Sequence, residues 1–235
     1  MKKARIDFHI HSCLSPCASL EMSPRAIAAQ AKKLGLDCIA LTDHCCAENL
    51  PAFHDACREV HLPCLHGMEV CSEEEVHVLC LFDQLDPALE FGRMTYDSLQ
   101  NFPNNPERFG DQPIVSVEGN ILDFAEKLLI GSTSISFFDL VPMALDAGAL
   151  CIPSHIDRDY YGALAHLGFL PDLPYSAVEV VARSVPEAAA GWPLVRFSDA
   201  HCLNHLGRRY TELMVDEFTV PSLYAAFAEQ LRTEK

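Results

Sequence analysis

The sequence predicts an α/β fold built on a parallel sheet, open or closed into a barrel. Two observations carry this expectation. Segments of strand character alternate with segments of helical period along most of the 235 residues, the pattern of repeated βαβ units. Nearly every predicted strand also delivers a His, Asp or Glu at one end, where parallel α/β folds assemble their sites.

The elements follow in order. Residues 5–10, Arg-Ile-Asp-Phe-His-Ile, alternate as a strand does. Residues 23–35 predict a helix, with Ser23-Pro24 as its start and Gly35 as its stop. Residues 36–41 form a nearly continuous apolar run, suited to a strand buried on both faces. Residues 48–60 again have helical spacing. Two strands are expected at 62–69 and 75–82, joined by the acidic turn Ser72-Glu73-Glu74-Glu75. The segment 83–125 is less regular. Asn101-Phe102-Pro103-Asn104-Asn105-Pro106 breaks any helix, and 113–124 reads as a hairpin turning at Glu118-Gly119-Asn120. This segment is expected to be an insertion or lid that shapes substrate access. The rhythm then resumes with a helix near 135–147, a strand at 149–153, a short helix near 159–167, strands near 177–181 and 194–198, and an amphipathic helix at about 220–232. Seven strands, counting 75–82, approach a barrel's number. No linker, low-complexity run or internal repeat divides the chain, so residues 1–235 are expected to form a single domain.

Composition narrows the function. The formal net charge of −16 repels nucleic-acid backbones, and Lys and Arg form no stripe. Duplex nucleic acid is therefore not an expected partner, while a small phosphorylated substrate or short oligonucleotide ends held by metals remain open. Bound divalent cations would cancel part of the charge. No apolar run reaches the ~18 residues of a membrane helix, and no signal-peptide pattern opens the chain. A cytoplasmic location is expected, with no membrane partner. The eleven cysteines, an odd number without a CxxC pair, read as small buried hydrophobes rather than a disulfide framework or zinc ribbon.

The chemistry lies in the strand ends. His9 and His11, two residues apart on a strand, share a face. Thr42-Asp43-His44 ends the second strand and Gly67-Met68-Glu69 the third. Glu75-Val76-His77 opens the fourth, which reaches the same end if it runs antiparallel to the third. Pro153-Ser154-His155 and Ser198-Asp199-Ala200-His201 end two later strands. Each residue alone has an ordinary explanation: Asp43 as a helix cap, Glu69 as a surface acid, His77 as a core histidine. Together those explanations require independent accidents at one end of one sheet. Imidazole and carboxylate suit zinc, iron or manganese, and nine groups exceed what one ion takes. Two or three divalent ions are expected, with a carboxylate bridge and a bound water that ionises near pH 7. Arg158, three residues beyond His155, either grips a substrate phosphate or pairs with an acid such as Asp157 or Asp159. His54, His61, His66, His166 and His205 lack this placement and read as surface or structural.

The ordered motifs His9-x-His11, Thr42-Asp43-His44, Glu69, His77, His155 and Asp199-x-His201 resemble those of the PHP family, the polymerase and histidinol phosphatase domain, in its stand-alone form. The resemblance runs from residue 7 to about 205. It implies a distorted (βα)7 barrel, a trinuclear metal centre and phosphoester hydrolysis with zinc, manganese or iron. It also implies that His9, His11, Glu69 and Asp199 hold a first metal, and that Glu69 bridges to a second held by His77 and His155. His44 and His201 would hold a third, and Asp43 would orient a ligand or the attacking water. The catalytic set is then Glu69, Asp199, Asp43 and Arg158. One departure stands out. Where family members often carry a third-metal Asp or His, this chain has Pro16 and Cys17, which puts the third metal in question.

The expected activity is therefore hydrolysis of a small phosphate monoester or of a nucleotide or oligonucleotide phosphoester. Two alternatives follow from the same residues. An amidohydrolase-like enzyme would use similar metal chemistry, but Glu69 stands where such sites carry a carboxylated lysine. A metal-stabilised, non-catalytic interaction module would need metal to fold and show no turnover.

Overall fold

In the computed structural model the described residues are 1–233. The chain runs β1 (Lys2–Asp7), α1 (Pro24–Leu34), β2 (Cys38–His44), α2 (Leu50–Glu59), β3 (Cys64–Cys71), β4 (His77–Phe82), α3 (Leu85–Ser98), α4 (Pro106–Phe109), β5 (Pro113–Val115) and β6 (Ile121–Phe124). It continues through α5 (Phe137–Asp146), β7 (Leu150–Pro153), α6 (Ala163–His166), β8 (Val178–Glu179), β9 (Leu194–Val195), β10 (Thr211–Val215) and α7 (Val220–Thr233). The first helix starts and stops where its sequence says it should. The Ser23 hydroxyl accepts from the Ala26 amide, Pro24 occupies the first turn, and Gly35 closes the helix at φ 70°, a conformation that costs glycine little.

Six strands form one sheet in the order β10-β1-β2-β3-β4-β7. β1, β2 and β3 are parallel. β4 runs antiparallel to both β3 and β7, as the position of His77 at the site end of the sheet requires. The sheet then curls on itself. Beyond β7, Cys151 O accepts from Ser176 N at 2.8 Å and Glu179 O from Ile156 N at 3.0 Å, which docks β8 beside it. β8 pairs in parallel with β9. The chain after β9 returns to the first strand, with His11 N donating to Ala200 O at 3.0 Å and Ser198 N to the Asp7 carboxylate at 3.0 Å. The result is the expected distorted barrel of seven strands, β1 to β4 and β7 to β9. β10, not anticipated from the sequence, covers the remaining half of β1's edge.

Strand alternation divides the core in two. One row, with Ala4, Ile6, Phe8, Cys38, Ala40, Leu65, Leu79, Leu81, Leu150 and Ile152, fills the barrel with Phe197. The opposite row, with Ile39, Leu41, Met68, Val70, Val78 and Cys80, packs beneath the helices. The inward row of β2 continues to His44, that of β3 to Glu69, and that of β4 begins at His77, so the apolar interior is capped by ligand-type residues.

The segment 83–125 departs in part from its irregular reading. It opens with the regular 14-residue helix α3, which buries Ala88, Phe91, Gly92 and Thr95. Only after Ser98 does the chain become irregular, and the hairpin β5–β6 turns where expected. The Asn49 side chain ties that hairpin down, donating to Pro113 O and accepting from Val115 N.

Candidate metal centre

The strand ends bring His9, His11, His44, Glu69, His77, His155, Asp199 and His201 together. Glu69, 1% exposed, lies at the centre. Its Oε1 is 3.1 Å from nitrogens of His9, His77 and His155. Its Oε2 is 3.4 Å from His11 and 3.3 Å from His44. Asp199 Oδ1 stands 3.2 Å from His9 and 3.3 Å from His11. His201 stacks on His11 at 4.3 Å. Two of these residues sit in the left-handed region, His155 at φ 29° and Asp199 at φ 48°. Non-glycine residues rarely adopt it, and such strain gathers at functional sites.

Partners outside the ring fix how each imidazole faces inward. His9 Nδ1 lies 2.9 Å from Glu179 Oε2, His11 Nδ1 3.2 Å from the Ser15 hydroxyl and His201 Nδ1 3.0 Å from the Asp199 carbonyl. Glu179 as a carboxylate and Asp199 O as a carbonyl can only accept, so the proton of His9 and His201 sits on Nδ1. The Ser15 hydroxyl is committed to Asp43 at 2.6 Å, so His11 also donates from Nδ1. In each case Nε2 is the nitrogen that faces the centre, where an ion would take the place of any proton it carries.

Among the described residues, this arrangement fits divalent cations. His9 Nε2, His11 Nε2, His44 Nδ1, His77 Nδ1 and Nε2, and His155 Nδ1 are buried without a hydrogen-bond partner. Five imidazoles around one carboxylate exceed the hydrogen bonds its two oxygens accept. The protons respond accordingly. Burial opposes charge on His9 and His11, but Glu69 and Asp199 outweigh it and hold His11 up at about 9. Burial and the neighbouring His11 push His44 down and His201 to about 4. Burial likewise lowers His77, while the surrounding imidazoles overcome burial to hold Glu69 and Asp199 ionised. Four triads could each hold an ion: His9, His11 and Asp199; His9, Glu69 and His155; His44, Glu69 and His77; His11, His44 and His201. In this grouping His77 joins His44, and His155 joins His9.

The remaining predicted residues fall as follows. Asp43 is buried and accepts from Ser12 N at 2.7 Å, Ser12 Oγ at 2.6 Å and Ser15 Oγ at 2.6 Å. It does not line the cavity. It therefore reaches the centre only through Ser15 and His11. Burial raises its pKa, and His11 and the two serines oppose the rise. Arg158 lines the cavity and pairs with Asp199 Oδ2 at 2.6 Å. Asp157 instead accepts from Val181 N and Ala182 N. Cys17 Sγ is 3.3 Å from His44 Nε2, so it is the one soft donor at the cavity. Its thiol is pushed up to about 12 by burial and by the charge of Glu69.

The cavity has a volume of about 230 Å³ and also includes Tyr161 and Ile130. Tyr161 stacks on His77 at 4.3 Å. The segment 83–125 contributes none of its lining. Sequence reasoning missed Glu179, Tyr161, Ser12 and Ser15. Glu179 falls in the middle of the predicted strand 177–181, where the strand-end criterion does not find it.

Fold and site together define a class, α/β barrels with a cluster of metal-type side chains at the mouth. A family model described as the PHP domain matches residues 7–161, and the chain belongs to that family. Over 67 residues it is 34% identical to DNA polymerase III PolC-type of Oceanobacillus iheyensis, covering 28% of this chain and 5% of that protein. Among solved structures, the lesion-specific endonuclease Q of Pyrococcus furiosus superposes with a TM-score of 0.70 at 20% identity, over 97% of this chain and 56% of that one. A candidate metal-dependent phosphoesterase of Bifidobacterium adolescentis superposes with a TM-score of 0.60 at 19% identity, over 88% of this chain and 92% of that one. The chain thus spans about half of the endonuclease and a small fraction of the polymerase.

One expectation is corrected here. Net negative charge was taken to exclude duplex nucleic acid. Endonuclease Q has been solved with a 27-mer duplex carrying an abasic lesion at its active site, and that structure superposes with a TM-score of 0.66. This fold accommodates duplex DNA, so overall charge is not a ground for excluding it. Local charge at the site counts for more than the sum over the chain. No helix among the described residues is long and apolar enough to cross a membrane.

Proposed function

We propose that the protein hydrolyses a phosphate monoester, or the terminal phosphoester of a nucleotide or oligonucleotide, with two or three divalent ions of zinc, manganese or iron. The observation that carries this reading is the convergence of five imidazoles on the buried Glu69 carboxylate, with the unpartnered nitrogens of His9, His11, His44 and His77 turned inward. His9, His11, His44, His77, His155, Asp199 and His201 would hold the ions, with Glu69 as the bridge. When bound, such ions polarise a phosphoryl oxygen and lower the pKa of water.

The chain's own residues supply the rest. Glu179 orients His9, and Asp43 orients His11 through Ser15. Arg158 is poised to exchange Asp199 for an oxygen of the substrate phosphate, a bidentate guanidinium contact suited to that group. Arg208 and Arg209 add positive charge beside it. Burial, and then the guanidiniums of Arg208 and Arg158, lower the pKa of Arg209, so an anion there relieves their repulsion. The cavity is smaller than the about 300–1,000 Å³ of most ligand pockets. It suits the reacting phosphate, with the rest of the substrate outside.

The test is Glu69→Gln, which keeps shape and removes charge. We expect phosphate release to fall at least about 100-fold, in the range seen on losing an electrostatic group at a reacting centre, with circular dichroism unchanged and metal content reduced. Full activity in a folded variant would overturn the proposal. A second reading, cleavage of damaged DNA, is favoured by the endonuclease superposition over 97% of this chain. Parallel assays on mononucleotides and on an abasic duplex separate the two.

A further inference from the structure

A second cluster of metal-type side chains lies away from the barrel mouth, between α2 and the start of β3. His54 and Cys57 are three residues apart on α2, and therefore share a helix face. Cys64 and His66 are two apart on β3, and share a strand face. The two faces meet. His54 Nδ1 is 2.9 Å from His66 Nε2, and Cys64 Sγ is 3.9 Å from the same nitrogen. Donor atoms of His54, Cys64 and His66 all lie within 4.8 Å of one another, and Cys57 stands next to Cys64. A tetrahedral zinc with bonds of about 2.0–2.3 Å keeps its ligands about 3.3–3.8 Å apart, so the 2.9 Å and 3.9 Å separations lie within a few tenths of an ångström of what an ion would need.

We propose that His54, Cys64 and His66, with Cys57 beside them on α2, bind one zinc-class ion at a site distinct from the catalytic centre. The ligands span two elements, so such an ion would pin α2 to β3, the strand that carries Glu69. The chemistry of the donors favours it. Cysteine sulfur and histidine nitrogen are the donor types zinc prefers. His66 is 3% exposed and its other nitrogen has no partner. Cys57 lines an open cleft of about 780 Å³ with Asp55, Arg58 and His61, which gives an ion a path in.

The test uses the full chain with zinc or cobalt ions as probes. Wild type is expected to hold one equivalent of zinc more than Cys64→Ser or His54→Asn by elemental analysis. Cobalt-loaded wild type should show a thiolate-to-cobalt charge-transfer band that Cys64→Ser loses and Cys17→Ser keeps, which separates this site from the soft donor at the barrel mouth. If the variants fold poorly, wild type alone gives the answer. Zinc should protect the half-buried Cys64 from alkylation, and a chelator should restore its labelling. Equal zinc content in folded variants, a band that follows Cys17, or labelling of Cys64 indifferent to zinc would each overturn the proposal. So would recovery of a Cys57–Cys64 disulfide in freshly purified protein that takes up no additional zinc.

Discussion

At Glu69 five imidazoles meet two carboxylate oxygens, and the groups behind them decide how those rings point. Glu179 makes two of these supports at once. Its Oε2 lies 2.9 Å from His9 Nδ1 and accepts from His155 N at 3.1 Å. It therefore sets one ligand's tautomer and anchors the strained backbone of another. Replacing Glu179 by Gln removes the charge that favours a proton on His9 Nδ1. Loss of such an outer partner typically weakens metal affinity about 10–100-fold. We expect a decrease of that size in Glu179→Gln, read by chelator competition. An unchanged affinity would show that His9 needs no such support. Glu179 also illustrates what the sequence hides. An acid at a strand end was the criterion that found Glu69, yet Glu179 sits in a strand of two residues, where it reads as surface. Its burial to 1% depends on the curl of the sheet, which no local pattern reports.

The element that fixes the site's floor is the β3–β4 pair. Gly67 lies two residues before Glu69 on the inward row, where a Cβ would stand 2.5 Å from Cys80 O and 2.7 Å from Leu81 Cδ2. The first of these is backbone and can yield only by parting the strands. Gly67→Ala is expected to destabilise the protein by about 1–3 kcal/mol, the usual cost of overpacking, and to weaken metal binding as Glu69 shifts. Urea unfolding checks the first and metal titration the second. Stability within about 0.5 kcal/mol of wild type, the ordinary spread of neutral substitutions, would contradict the close approach. Elements of this kind were legible where their pattern was local. Ser23, Pro24 and Gly35 bound α1, and the apolar run before Thr42 marks β2. α3 was less so, because its buried face uses Gly92 and Thr95 besides Ala88 and Phe91. Gly92 is there for fit, since a Cβ would lie 2.3 Å from that of Ala47. A face made of small residues buries well and scores weakly as apolar. β10 escaped for another reason. Its alternation of buried and exposed residues is clear, but its partner is at the opposite end of the sequence.

For the whole molecule, the site is a junction. Its residues come from the ends of β1, β2, β3, β7 and β9 and the start of β4, so an ion bound there ties most of the barrel together. Ions that bind the folded chain alone stabilise it by mass action, about 2.7 kcal/mol at 100 times Kd. For a chain of this length that corresponds to a rise in Tm of roughly 5–10 °C. Thermal unfolding with chelator and with added manganese or zinc reads it directly. A Tm indifferent to both would mean that the ring of ligands is satisfied without a cation. At this scale the order of ligands along the sequence was enough to anticipate a barrel with a capped mouth. The duplex bound by endonuclease Q was not anticipated, because net charge averages over the whole surface and says nothing of where the charges stand.

The pairing of β1 with β10 has a consequence for how the chain is made. Ile6 meets Thr211 in that ladder, so one edge of the first strand waits for residues translated about 200 positions later. At about 5–20 residues per second, the nascent protein carries that open edge for roughly 10–40 s. The edge is protected meanwhile by its own composition. Lys2, Lys3 and Arg5 place three positive charges along it, and charged edges resist pairing with other chains. The basic start of an otherwise acidic sequence thus guards the ribosome-bound intermediate against aggregation until β10 emerges to close the sheet.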